Sequence, residues 1–390
     1  MRKALTNLKV WDGLSDGIDS GRDALVIEDG RIVELTSGDA LSGFEKQDMG
    51  GLYCIPGLID AHIHLCLDPA IRDPLEQDKA PAEQLLDDMR SRAKGMLLAG
   101  ITSARDLGGG QWLELQLRDE IKRGESIGPR LVCSGQPITS VGGHCYFWGG
   151  EAQSDDQVMD VINRQLSHDV DLIKVMATGG NITKGSRPVD AQFGESTIRR
   201  IVASAAANDL HVAAHCHGTS GIKNAVFAGV KTIEHCSWVG EEGWGKAYDA
   251  EAAAEMAAND ICVSPTINAG WKRFMENESH TELVRSNFRK LKEVGVTLIA
   301  STDAGIPNVF HADLPKALPV FAHYAELSPL ETLRSATSDC AQAIGLGTIT
   351  GSMTEGLAAD FLLMEANPLV DLAALAGPIS VYFGGVEVVE

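Results

Sequence analysis

The sequence predicts an α/β chain, built as a (β/α)8 TIM barrel with a small β-sandwich domain formed by both chain ends. Between residues 57 and 345, short apolar runs alternate with longer helical stretches, the signature of βα units around a parallel sheet. The flanks, 1–56 and 346–390, read instead as short strands separated by turns. The length, 390 residues, suits a barrel of about 250 residues plus a smaller module.

In chain order, residues 24–28, the pair Asp29-Gly30 and residues 31–35 form a β-hairpin signal. The pattern changes at Pro56. Barrel strands are expected at 58–64, 101–106, 131–134, 172–177, 211–216, 232–236, 261–265 and 297–303. Helices are expected between them, for example over 83–98, 195–208 and 251–259, several followed by the Gly or Asn of a C-cap. Beyond residue 346 the βα rhythm stops, and 360–364 and 381–389 read as strands again.

Hydrophobic residues make up 44% and charged residues 22%, as in ordinary globular proteins. No stretch reaches the roughly 18 uncharged apolar residues that cross a bilayer, and MRKALTNLKVWDG has no apolar signal core, so the expectation is a cytoplasmic protein with no membrane partner. A formal charge of -21 argues against nucleic acid, because phosphate binding needs a basic face. The eight cysteines include no CxxC pair and are expected to be reduced packing residues.

Functional residues of a TIM barrel sit at the C-terminal ends of its strands, which gives a positional test. His62 and His64 end the first expected strand in DAHIHL, and side chains two apart on a strand share a face, so both imidazoles can grip one ion. Lys174 lies in the apolar fourth strand, where an uncompensated ammonium would cost several kcal/mol or lose its proton. His215 ends the fifth strand, His235 the sixth and Asp303 the eighth. Taken singly, each has a bland reading: a chance HxH, a satisfied core histidine, a turn aspartate, a buried salt-bridge lysine. Their joint placement at strand ends favours a site for zinc or a similar divalent ion.

The motifs IPGLIDAHIHL, LIKVMATGG, HVAAHCHG, TIEHC and STDAG, with VWDG and VIEDGRIVEL early and GSMTEGLAADFLLMEANPL late, resemble those of the amidohydrolase superfamily over nearly the whole chain. The stretch from GGH at 142–144 through KVMATGGNITKGSRP looks like the group of Xaa-Pro dipeptidases and arginine-lysine carboxypeptidases, to which imidazolonepropionase and xenobiotic amide, urea and thiocarbamate hydrolases are related. The resemblance implies two divalent metal ions of the zinc type, His62, His64 and Asp303 holding the more buried one and His215 and His235 the more exposed one. It implies a carboxylated Lys174 bridging them, attack by a hydroxide held between the ions on the carbonyl of a small-molecule amide or dipeptide substrate, Asp303 as the proton carrier, and a homo-oligomer. His144 is assigned a hydrogen bond to the substrate carbonyl, against a bland role in loop packing. Cys236 stands where that group commonly has glycine.

His217 points to the same side as His215 and is left between a metal-site role and a structural one. Trp148, Trp238, Trp244, Trp271, Phe147 and Phe274 follow the third, sixth and seventh expected strands and are assigned to the pocket wall, with loop packing as the alternative. Lys184 and Arg187 are candidate clamps for a substrate carboxylate, although loop cations are usually just solvated. A one-metal deaminase reading is weakened by Gly218, which occupies the position where deaminases carry glutamate. A xenobiotic, cyclic-amide or lactone hydrolase and a non-catalytic scaffold complete the alternatives.

Overall fold

The computed structural model describes residues 2–43, 45–77 and 79–389. Seven of the eight expected barrel strands form, in two parallel sheets. The first sheet orders Leu58–Ile63, Ile101–Asp106 and Arg130–Cys133; the second orders Ile173–Met176, Val212–Gly218, Thr232–Val239 and Cys262–Ser264. Nearly every residue of these strands is buried, because helices cover parallel sheets and leave neither face to water.

The sheets are linked at both edges. Past the third strand, Ile138 bridges Val175 in parallel, donating its N–H to the Lys174 carbonyl at 2.9 Å and accepting from Met176 at 2.8 Å. On the other edge Leu298 bridges Val263 and Ala304 bridges Ile63. The expected eighth strand, 297–303, therefore lies between the seventh and the first but makes no regular ladder. The Asp60 carboxylate takes the Thr302 N–H at 3.1 Å and the Thr302 hydroxyl at 2.5 Å, and Asp303 turns to a φ of 61°. Both interrupt strand pairing.

The helices follow the sequence reading closely: Ala82–Leu98, Glu195–Ala206 and Ala250–Ala258. The last is capped by Asp249, whose side chain accepts from the Ala252 N–H, and ends at Asn259.

The chain ends build two further sheets. One orders Arg31–Thr36, Ala24–Glu28, Arg2–Thr6 and Lys46–Asp48; the other orders Val386–Glu387, Ser380–Phe383, Phe361–Met364, Tyr53–Pro56 and Lys9–Val10. The expected hairpin forms, with Asp29 at φ 48° and Gly30 at φ 79°, the paired left-handed conformation that matches the twist of its strands. The expected strand over 381–389 is split: Gly384-Gly385 turn the chain, and Val386 pairs back onto Phe383. Leu5, Leu25, Ile27, Cys54, Phe361 and Tyr382 share one buried cluster, so residues from both ends pack together. All eight cysteines are buried and free. Among the described residues no helix is long and apolar enough to cross a membrane.

Candidate metal centre

His62 and His64 are the alternate residues of one strand end, and their Nε2 atoms lie 3.3 Å apart. Asp303, carried by the irregular segment after the seventh strand, brings Oδ1 to 3.3 Å from His62 Nε2 and 3.5 Å from His64 Nε2. The far ring nitrogens are tied down: His62 Nδ1 to Glu234 Oε2 at 2.9 Å, and His64 Nδ1 to the Gly108 carbonyl at 2.9 Å. Both partners are acceptors, so each Nδ1 is the donor there, and the Nε2 atoms of both rings face Asp303. Glu234 is itself held by Arg105 at 2.7 Å and by the Thr232 hydroxyl at 2.5 Å.

A second cluster gathers His215, His217 and His235, their nearest ligand atoms all within 4.8 Å of one another. His215 Nε2 faces the Gly179 carbonyl at 3.1 Å, which leaves Nδ1 as its free lone pair. His235 Nδ1 meets the Thr266 hydroxyl at 2.8 Å, and His217 Nδ1 meets the Ser237 hydroxyl at 2.8 Å. The His62 and His235 ring centroids are 5.2 Å apart, so the clusters adjoin. Sequence reasoning left His217 undecided; the structure places it beside His215 and His235, edge-on to Trp244.

Lys174 lines the same cavity and is only 1% exposed. Burial, helped by the nearby Arg105 cation, pulls its amine down to about 8. Burial also lowers His62 to about 4 and His215 and His235 well below the usual imidazole range, so these rings are neutral donors of lone pairs. Burial works against the Asp303 carboxylate, but His62, His64 and Lys174 outweigh it and keep Asp303 ionised.

The backbone around the site is strained. His235, Cys236, Trp238, Thr266 and Asp303 have φ of 67°, 49°, 49°, 55° and 61°, the left-handed region that non-glycine residues enter at a cost of about 1 kcal/mol or more each. The pairing register also slips between Cys216 and Gly218, opposite this stretch. The left-handed turn at Cys236 is one that glycine adopts without cost, and here a thiol side chain lines the cavity instead.

His144 reaches the cavity from the loop after the third strand, its ring centroid 4.4 Å from that of His215. A Cβ at Gly180 would lie 2.4 Å from the His144 ring, so TGG keeps the room this imidazole needs. Burial lowers His144 to about 3, and its Nδ1 has no hydrogen-bond partner among the described residues.

The cavity encloses about 250 Å³ and takes in His62, His64, Lys174, His215, His235 and Asp303 together. Trp238, Trp244 and Trp271 line it, as the sequence reading expected. Trp148, Phe147 and Phe274 do not: Trp148 packs behind His64 at 5.2 Å, Phe147 stands edge-on to Trp148, and Phe274 is 38% exposed. Lys184 and Arg187 are also outside the lining; both are exposed, and Arg187 pairs with Asp190 at 3.3 Å. Two features escaped the sequence reading. Glu234 and Arg105 are fully buried charges behind His62, signalled, as Lys174 is, by charge within apolar strands. The helix Glu278–Glu293 supplies Leu283, Val284 and Phe288 to the wall.

Comparison with known proteins agrees with this geometry. The chain is 26% identical to ochratoxinase of Aspergillus niger over 363 residues, 84% of this chain and 73% of that enzyme. It is 22% identical to imidazolonepropionase of Vibrio cholerae over 383 residues, 90% of this chain and 89% of the other. The crystal structure of a Xaa-Pro dipeptidase with bound methionine in its active site superposes with a TM-score of 0.83 at 25% identity, covering 100% of both chains. The amidohydrolase family model matches residues 53–388, and the chain belongs to that family.

Proposed function

We propose that the chain is a binuclear metal-dependent hydrolase that splits the amide-type C–N bond of a small molecule, with dipeptides and N-acyl amino acids as the first class to test. In this reading residues 57–345 form one (β/α)8 barrel, with the edge bridges at Ile138, Leu298 and Ala304 closing it, and 1–56 with 346–390 form a β-sandwich domain. The observation that carries it is the sharing of one cavity by two adjoining groups of buried imidazoles, Lys174 and Asp303.

The donor set fits a pair of zinc-like ions: imidazole lone pairs and carboxylate oxygen, with Glu234, Gly108, Gly179 and Thr266 orienting the rings. His62, His64 and Asp303 would hold one ion, and His215 and His235 the other. Lys174 would join both sites once its ammonium loses a proton and the resulting amine adds carbon dioxide and releases a second, which leaves a carbamate anion in place of a buried cation. When bound, such ions lower the pKa of water and polarise the scissile carbonyl. Asp303 takes the proton of the attacking water and delivers it to the leaving nitrogen. His144, which lines the cavity beside His215, donates to the substrate's carbonyl oxygen as negative charge develops there.

Metal content per chain, paired with turnover of dipeptides, N-acyl amino acids and simple N-acyl amines, tests the reading. About two zinc-like ions with release of an amine or amino acid support it. One ion with ring-opening activity would favour a mononuclear imidazolonepropionase-like enzyme. No metal and no turnover after metal addition would overturn it in favour of a scaffold.

A further inference from the structure

Beyond the histidines, the cavity takes its wall from the segment after the seventh strand and the helix Glu278–Glu293: Ile267, Trp271, Leu283, Val284 and Phe288. The wall's polar side chains are largely engaged. Asn287 Nδ2 donates to the Gly245 carbonyl at 2.8 Å, and Asn268 donates to the Thr302 carbonyl at 3.3 Å while accepting from the Gly270 N–H at 3.1 Å. Ser237 and Thr266 are bound to His217 and His235.

The same wall segments are rich in cations, yet the structure turns them elsewhere. Arg285 donates to the His323 carbonyl at 3.1 Å, Arg289 pairs with Glu326 at 3.1 Å, and Lys292 donates to the Glu326 carbonyl at 2.9 Å. Lys290 stacks over Tyr248 at 4.9 Å and Arg273 over Phe274 at 4.5 Å. Among the described residues, Lys174 is the one lysine or arginine on the lining, and it lies with the histidine clusters. Among the described residues, three buried nitrogens on lining residues have no partner: His144 Nδ1, Trp238 Nε1 and His280 Nε2.

We infer that the part of the substrate held against this wall is neutral, apolar and ring-bearing, an N-acyl arylalkylamine or related neutral amide, and that a free carboxylate there is selected against. This rests on the amide-hydrolase reading and narrows it. A carboxylate among Leu283, Val284, Phe288 and Trp271 would give up its hydration with no cation to replace it, whereas an aromatic ring buries apolar surface against the same side chains.

The test uses the metal-loaded full chain and two amides that differ by one carboxylate, N-acetylphenethylamine and N-acetylphenylalanine, at pH 8. The neutral amide is expected to have the larger kcat/KM by about tenfold or more, mostly through KM. Leu283→Arg, which puts a cation on the wall, should narrow that ratio by about tenfold while metal content stays at the wild-type level. An acid turned over as well as its neutral partner, or a ratio unmoved in Leu283→Arg, overturns the inference and leaves the amide-hydrolase reading standing. If neither amide is cleaved, the amide reading fails separately. Calorimetry then decides this inference by itself: tighter binding of N-acetylphenethylamine supports it, and equal or tighter binding of the acid overturns it.

Discussion

The two histidine clusters differ in what stands behind them. His62 is backed by a buried carboxylate that is paired in turn with a buried guanidinium, and its neighbour Asp303 is ionised. His235 and His217 are backed by the hydroxyls of Thr266 and Ser237, and His215 by a backbone carbonyl. The first cluster adds a charged partner behind His62 to the neutral carbonyl that holds His64, whereas the second is held by neutral hydrogen bonds alone. The difference teaches that two groups of similar ligands need not be supported alike: in the proposed function the first would favour a cation strongly through its anionic setting, and the second would exchange its ion more freely.

The largest expected effect is on Asp303, to which the proposed function gives both metal holding and proton transfer. Asp303→Asn should lower kcat by about 10²- to 10⁴-fold while the fold and much of the metal remain, as read by steady-state kinetics with metal analysis. Near-normal turnover would remove Asp303 from proton transfer. Lys174→Ala removes the group proposed to join the two sites. Its metal content should fall below two ions per chain, with activity recovered in part by short carboxylic acids; unchanged loading would contradict the carbamate.

Glu234→Gln strikes the charged backing alone. Loss of the carboxylate behind His62 should weaken the first ion about 10- to 100-fold, followed as the chelator concentration that strips half the metal. Because this leaves Arg105 buried beside a neutral partner, stability will also fall. The double change Arg105→Met with Glu234→Gln separates the two effects: stability should recover, metal affinity should not. Recovery of both would make Glu234 a structural residue only.

These tests bear on what the sequence could disclose. His62, His64, Lys174, His215, His235 and Asp303 were legible because strand alternation and strand-end position follow from the backbone, and the structure brings all six to one cavity. Glu234 carried the signal of a charge in an apolar strand, but simple alternation sets it opposite His235, and only the left-handed turns at His235 and Cys236 relax that rule. The wall helix was equally hidden. Its apolar stripe at Leu283, Val284 and Phe288 reads as a core face, and periodicity does not tell a core from a cavity. Lys184 and Arg187 lie exposed and outside the lining, where the bland reading of loop cations puts them. The eighth strand was right in place and wrong in regularity, because side-chain competition from Asp60 and Thr302 is invisible to hydrophobic pattern.

The charged backing extends to a group that titrates. Asp106 accepts from the Leu65 and Gly108 N–H groups at 2.8 and 2.9 Å, and Gly108 in turn holds His64. Beside it Glu114 is buried with one oxygen unpartnered, and burial together with the Asp106 carboxylate pushes it up to about 8 from 4.5. Between those values the folded state keeps a proton that the unfolded state releases, so stability falls as pH rises through that window and the penalty is complete above 8. Glu114→Gln should therefore melt higher than wild type, by on the order of 1 to 3 kcal/mol at pH 9 and with little difference at pH 4. Parallel melting curves across that range would show that Glu114 carries no such load.

The smallest effect belongs to the neutral side. Thr266→Ala removes the hydroxyl on His235 Nδ1 but leaves no buried charge unpaired, and it also loosens a β-branched residue from a φ of 55°. The loss of orientation and the relief of strain oppose each other. Retention of the second ion should weaken by about tenfold at most, at the low end of what such partners contribute, with Thr266→Ser restoring it. Chelator titrations of Thr266→Ala and Glu234→Gln side by side put the comparison at risk directly: if the neutral backing proves as costly to remove as the charged one, ring orientation and not charge is what both clusters require of their surroundings.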